Sequence, residues 1–243
     1  MGRGSHDRNY KVVKNHYDKE LRNSDKNYKF VIDTSISIDD YAPINISKSN
    51  SELQQFDVSS SSEWSQYIEN YLNKYNAKVA YGGYLEERDL YNRSSHFTSG
   101  ENSGNRNIHL GVDFWCDVNT SVLAIVRGKV HSFKNNKGVG NYGPTIILEH
   151  YIQGETFYTL YGHLSLESLE NIEVGQSVED GEKIGEVGGA SVNGDYAPHL
   201  HFQIIEDLQG HSGDYPGVSS SEDLPFYQDN CPNPNIILKF LNS

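Results

Sequence analysis

The sequence predicts a mainly β domain, a barrel-like sandwich of short strands, preceded by an N-terminal segment that is part helix and part irregular. Three observations carry this. The second half of the chain consists of brief Val- and Ile-rich runs separated by Gly and Asn, in a chain holding 22 Gly and 17 Tyr. From residue 107 onward, apolar residues alternate with a period of two. Hydrophobic residues make up 36% of the 243 positions, enough for one well-filled core.

Taken in order, residues 1–60 are polar and open on Met-Gly-Arg-Gly-Ser-His, which reads as a segment added for expression. Within them, Tyr28-Lys29-Phe30-Val31-Ile32-Asp33 has the composition of a strand, and Ser35-Ile36-Ser37-Ile38 extends it. The serines at 59–62 can cap a helix. Trp64, Tyr67, Ile68, Tyr71 and Leu72 then fall three and four apart, so one amphipathic helix is expected from Glu63 to about Tyr75. Residues 82–104 read as a long ordered loop in which Glu86-Glu87-Arg88-Asp89 forms a solvated, salt-bridged turn. Strands are expected at 107–115, 121–133, 144–151, 156–164, 183–187 and 198–206, and the regular Gly and Val of residues 174–185 mark further short strands and tight turns. This divides the chain into an N-terminal arm with one helix over 1–80 and a β domain over 81–243. The arm either pads the sandwich, the simpler reading, or lies over a cleft and restricts access.

Composition excludes several function classes. The formal charge is −13, from 33 acidic and 20 basic residues, so nucleic acid is not an expected partner. The same charge disfavours tight adhesion to anionic membranes or polyanionic walls. Cys116 and Cys231 lie far apart in no metal-type spacing and read as two free thiols. No apolar run is long enough for a transmembrane segment and no leader pattern is present; a chain acting on a cell wall would be secreted or periplasmic after losing a leader, and otherwise cytoplasmic.

The chemistry concentrates in three strand-like pieces. In Ile108-His109-Leu110-Gly111-Val112-Asp113-Phe114, alternation puts His109, Gly111 and Asp113 on one face and Ile108, Leu110, Val112 and Phe114 on the other. An imidazole and a carboxylate thus flank a residue without a side chain, leaving open space between two ligands. In Pro198-His199-Leu200-His201-Phe202-Gln203-Ile204, the face shared by His199, His201 and Gln203 is backed by Leu200, Phe202 and Ile204. Catalytic zinc keeps three His, Asp or Glu ligands with water in the fourth position, and His109, Asp113 and one of His199 or His201 complete such a set. The third piece, Phe157-Tyr158-Thr159-Leu160-Tyr161-Gly162-His163, places His163 on one face with Tyr161 and Thr159. Tyr161 is a candidate substrate-binding residue, with a core tyrosine whose hydroxyl is satisfied as the plain alternative. A lone strand histidine is usually structural, but three such pieces together point to one shared cleft. His96, His131, His150 and His211 lack a partner in strand register and read as structural.

The motifs H-x-G-x-D, Y-G-H-L, G-Q-x-V-x-x-G-x-x-I-G-x-V-G and P-H-L-H-F, in this order over roughly Arg106 to Ile205, resemble those of the lysostaphin-type zinc metallopeptidases. The resemblance implies a duplicated-hybrid-motif β fold, a barrel-sandwich of antiparallel strands. It implies one Zn2+ per chain on His109, Asp113 and His201, and a catalytic pair, His163 and His199, beside it. It further implies endopeptidase cleavage of peptide bonds in peptidoglycan cross-bridges or stem peptides. The flanks Gly83-Tyr84-Leu85-Glu86-Glu87-Arg88-Asp89-Leu90-Tyr91, Tyr142-Gly143-Pro144-Thr145 and Gly213-Asp214-Tyr215-Pro216-Gly217-Val218 resemble the metallopeptidase-like module fused to class III aminotransferases, which implies hydrolysis of a non-wall amide as an alternative. Two other readings compete. A non-catalytic module on the same fold is disfavoured because every ligand is retained. A biotinyl-type carrier is disfavoured because Lys129 and Lys183 lie within strand runs rather than at a hairpin tip.

Overall fold

The computed structural model describes residues 29–93 and 106–241, so the opening residues, Tyr28 and His96 lie outside it. An eight-stranded sheet organises the chain. Its strands are β1 (Tyr41–Pro43), β2 (Val79–Gly82), β4 (Val112–Trp115), β6 (Gly128–Asn136), β7 (Gly143–Ile152), β8 (Glu155–Gly162), β9 (Ser177–Val178) and β11 (His199–Ile205), in the order β1-β2-β4-β11-β8-β7-β6-β9. Every neighbouring pair is antiparallel except β1 and β2. Two small sheets complete the sandwich: β3 (Ile108–His109) with β12 (Val218–Ser219), and β5 (Ser121–Leu123) with β10 (Lys183–Glu186). Short helices α2 (Leu224–Asn230) and α3 (Asn235–Leu238) close the C-terminal part. Among the described residues no helix is long and apolar enough to cross a membrane.

The alternating pattern sorts side chains as expected. Leu200, Phe202 and Ile204 of β11 join Val112, Phe114, Ile146, Leu148 and Tyr161 in the main core. His199, His201 and Gln203 take the opposite face and are themselves buried. Two expected strands are broken. The run at 107–115 divides into β3 and β4 around Leu110-Gly111, and the run at 121–133 divides into β5 and β6.

The N-terminal segment departs further from expectation. Tyr28 lies outside the described residues; the rest of the stretch, 29–38, makes an isolated bridge, Ile32 to Val122, then turns into a 3-10 helix over Ile38–Asp40. The Asp33 carboxylate accepts from the Ser35 amide, and this local turn ends the extended run. Helix α1 (Ser61–Tyr75) forms as its spacing predicts, with the Ser60 hydroxyl accepting from the Glu63 amide and Asn76 closing it at φ 50°. Trp64 and Ile68 of α1 pack with Ile44, Ile46, Ala80, Trp115 and Tyr196 in a second apolar cluster. Residues 41–48 therefore run along the sheet edge, and the Ile44 amide donates to the Tyr81 carbonyl at 2.9 Å. Cys116 and Cys231 are free and buried in separate clusters, as their spacing suggests.

Two predictions follow from this packing. A Cβ on Gly82 would lie 2.4 Å from the Ile44 carbonyl oxygen, a backbone atom that cannot step aside. Gly82→Ala should cost about 1–3 kcal/mol in a denaturant titration, and an unchanged midpoint would mean that the Ile44 carbonyl does not close on Gly82. His150 is buried, with Nδ1 donating to the Arg127 carbonyl and Nε2 2.7 Å from the Thr159 hydroxyl; burial lowers its pKa from 6.5 to about 4. Between those pH values the unfolded chain binds a proton that the folded chain refuses. Stability should therefore fall as pH drops through this window, by up to about 1.4 kcal/mol per pH unit. His150→Gln should flatten that slope; equal slopes in both proteins would refute the assignment.

Candidate metal centre

Asp113 on β4 faces His201 on β11 in register, and His109 reaches the same point from β3. His109 Nε2 and His201 Nδ1 each lie 3.2 Å from Asp113 Oδ1, and the two nitrogens are 2.9 Å apart. All three side chains are buried. The glycine between His109 and Asp113 has a different use from the one expected. A Cβ on Gly111 would lie 2.7 Å from Cε1 of His201, so the space it leaves admits the third imidazole.

Hydrogen bonds behind the rings decide which nitrogens carry protons. His109 Nδ1 faces the Gly83 carbonyl at 2.9 Å, an acceptor only, so Nδ1 donates and Nε2 keeps its lone pair. His201 Nε2 donates to Gln203 Oε1 at 2.9 Å, and the Gln203 amide nitrogen donates to the Pro216 carbonyl and approaches Cys231 Sγ. His201 Nδ1 therefore also presents a lone pair. Two imidazole lone pairs and a carboxylate oxygen converge with no proton between them, an arrangement that calls for a cation. Donors bound at about 2.0–2.1 Å to a tetrahedral ion are about 3.3 Å apart, close to the separations seen here. The residues fit zinc, and their outer partners are those that orient zinc ligands.

His163 and His199 stand beside this group with ring centroids 4.3 Å apart. His163 does not lie within β8. It follows Gly162 at φ 64°, a left-handed conformation that re-aims the ring out of the strand alternation. Its Nδ1 donates to the Asn193 carbonyl at 2.7 Å, and His199 Nδ1 donates to the Ala197 carbonyl at 2.8 Å. Each ring thus holds Nε2 as a free acceptor, and His199 Nε2 is 3.9 Å from Asp113 Oδ1. Burial, reinforced by the neighbouring imidazoles, holds His163 well below its usual pKa; burial also lowers His199. Both rings are neutral near pH 7 and can accept a proton. Burial and the nearby Arg88 charge bring His109 down to about 3. Burial opposes ionisation of Asp113, but the Arg88 charge beside it outweighs burial and holds the carboxyl well below its usual range.

The group opens into a cleft of about 230 Å³, lined on the apolar side by Ile46, Trp64, Leu90, Trp115 and Tyr196 and elsewhere by Tyr142, Asp214 and Gly217. Two expectations need correction. Tyr161 is fully buried in the main core, its hydroxyl accepting from the Ile125 amide and 3.3 Å from Thr159, so it does not reach the cleft. Arg88 is no solvated turn residue: it is 1% exposed, with Nη1 donating to Asp113 Oδ2 at 2.6 Å. The apolar residues bracketing the charged run, Tyr84-Leu85 and Leu90-Tyr91, were the signal that it is buried. His211, read as structural, lines the cleft. Tyr142 was also missed; its ring packs against both His163 and His201.

A family model described as Peptidase family M23 matches residues 107–214. The glycyl-glycine endopeptidase ALE-1 of Staphylococcus capitis is 33% identical over 57% of this chain and 32% of its own length. The peptidoglycan DD-endopeptidase ShyC of Vibrio cholerae is 31% identical over 42% of this chain and 21% of its own. The solved catalytic domain of the antimicrobial peptidase lysostaphin from Staphylococcus simulans is 28% identical, covering 68% of this chain and 97% of that one, at a TM-score of 0.35. The chain spans about a third or less of the length of the curated relatives it matches. Residues 107–214 thus match Peptidase family M23, and the relatives at about a third identity include lysostaphin, whose type of peptidase the sequence motifs resemble.

Proposed function

We propose that this chain is a zinc-dependent endopeptidase that hydrolyses peptide bonds in peptidoglycan, in cross-bridges or stem peptides. One observation carries the reading: three lone-pair donors, from His109, Asp113 and His201, converge beside two neutral imidazoles whose free Nε2 atoms share the cleft. The similarity to a glycyl-glycine endopeptidase and to a peptidoglycan DD-endopeptidase supports the substrate class.

His109, Asp113 and His201 would hold one zinc ion, which when bound polarises a carbonyl and brings the pKa of its water to about 7. The chain's own residues handle the protons. As water adds to the scissile carbonyl carbon, Nε2 of His163 or His199 accepts its proton. When the carbon–nitrogen bond breaks, the same pair returns a proton to the leaving amine. Their Nδ1 atoms stay anchored on the Asn193 and Ala197 carbonyls, so the rings keep one tautomer and one orientation throughout. The formal charge of −13 favours a second reading, hydrolysis of a non-wall amide, because a polyanionic wall repels such a surface.

Purified protein should contain one zinc per chain and cleave purified peptidoglycan until a chelator is added. His109→Ala or Asp113→Ala should abolish stoichiometric zinc. His163→Ala should retain zinc and lose about 10²–10⁴-fold in turnover. Metal loss in His163→Ala would overturn the division of roles. Zinc without wall cleavage would move the assignment to the non-wall amide, and no zinc after reconstitution would end the metal reading altogether.

A further inference from the structure

Arg88 occupies a position that architecture alone does not require. It arrives on a segment paired with β3, where the Leu85 amide donates to the His109 carbonyl and the Arg88 amide to the Asn107 carbonyl, both at 2.8 Å. Its guanidinium is then buried among groups of the metal centre. Nη1 lies 2.6 Å from Asp113 Oδ2 and 3.2 Å from the Tyr91 hydroxyl, and Nε lies 3.0 Å from Glu86 Oε2. The Trp115 ring lies 5.7 Å from the guanidinium carbon. Nη2 fills the space that a side chain at position 83 would need: a Cβ there would sit 1.9 Å from it. Gly83 is also the residue whose carbonyl sets the His109 tautomer. One glycine therefore admits the guanidinium and orients a ligand.

The consequence concerns the two oxygens of Asp113. Oδ1 faces His109 Nε2 and His201 Nδ1 at 3.2 Å, whereas Oδ2 is taken by Arg88. The last torsion of an aspartate is soft, so an unheld carboxylate can offer either oxygen or both. A planar guanidinium gripped by a second carboxylate removes that freedom. We propose that Arg88 is the positioning residue of the metal centre: it holds Asp113 Oδ2, with Glu86 anchoring the guanidinium, so that Oδ1 alone is offered to the ion. This rests on the zinc reading above. Glu86 Oε1 also accepts from the Ile46 amide at 3.3 Å, which links the alignment of the ligand to the N-terminal segment.

The test is zinc affinity, measured by chelator competition on the full chain, for wild type, Arg88→Lys, Arg88→Met and Glu86→Gln. Arg88→Lys keeps the charge and loses the fork, and it remains informative if Arg88→Met fails to fold. Zinc binding should weaken about 10- to 100-fold in Arg88→Lys, and in Arg88→Met if it folds, with a change in the same direction in Glu86→Gln. With cobalt(II) in place of zinc, the visible bands of the Arg88 variants should lose intensity as the second carboxylate oxygen joins the ion. A purely architectural Arg88 would lower the melting temperatures of metal-free and zinc-loaded protein equally. It would leave affinity and cobalt spectrum unchanged, and that result overturns the proposal. Wild type that takes up no zinc would instead remove the metal centre itself, and this role with it.

Discussion

The buried Asp113 carboxylate is the charge around which the rest of the site is arranged. A lone carboxylate at 1% exposure is costly, and the surroundings answer it from every direction. Arg88 takes one oxygen, and His109 and His201 face the other. Each of these partners is in turn held by a further group: Glu86 behind Arg88, the Gly83 carbonyl behind His109, and Gln203 behind His201. The ring nitrogens turned toward Asp113 are left as acceptors, so the polar network stays incomplete until a cation joins it. A network of this kind orients ligands before any metal arrives, which is how outer partners raise affinity and fix geometry.

The sheet supplies the placement. Direct pairing of β11 with β4 puts His201 opposite Asp113, and pairing of β11 with β8 brings the end of β8 to the same place. The left-handed backbone at His163 then turns one imidazole toward the cleft, and the buried Asn193 presents its carbonyl to hold it. Among the described residues, the segment before β2 contributes a wall of the cleft. Ile46 and Trp64 line the cleft while packing against Trp115 and Tyr196, so α1 is tied to the same strands that carry the ligands.

Much of this was legible in the sequence. The period-two pattern separated His199, His201 and Gln203 from Leu200, Phe202 and Ile204, and helix α1 follows its apolar spacing closely. Strands β1 and β2 were not legible because three or four residues show no period. The stretch at 28–38 has strand composition, yet an Asp33 turn ends it; local side-chain hydrogen bonding outweighs propensity there. Tyr161 shares a strand face with His163 on paper. That register ends at Gly162, because His163 leaves the strand, so the tyrosine stays in the core.

By itself, the sequence determined the donor types, their alternation on strand faces and the apolar backing that buries them, since all three depend on local periodicity. Only the tertiary structure decided that Arg88, 25 positions from Asp113 in a charged run, closes on it as a buried ion pair. It alone decided that Gly83 and Gly111 make room for a guanidinium and an imidazole, and which nitrogen of each ring keeps its lone pair. The physical reason is that protonation state and carboxylate orientation are set by what stands behind each side chain. Those partners come from strands and loops that meet only when the chain is folded.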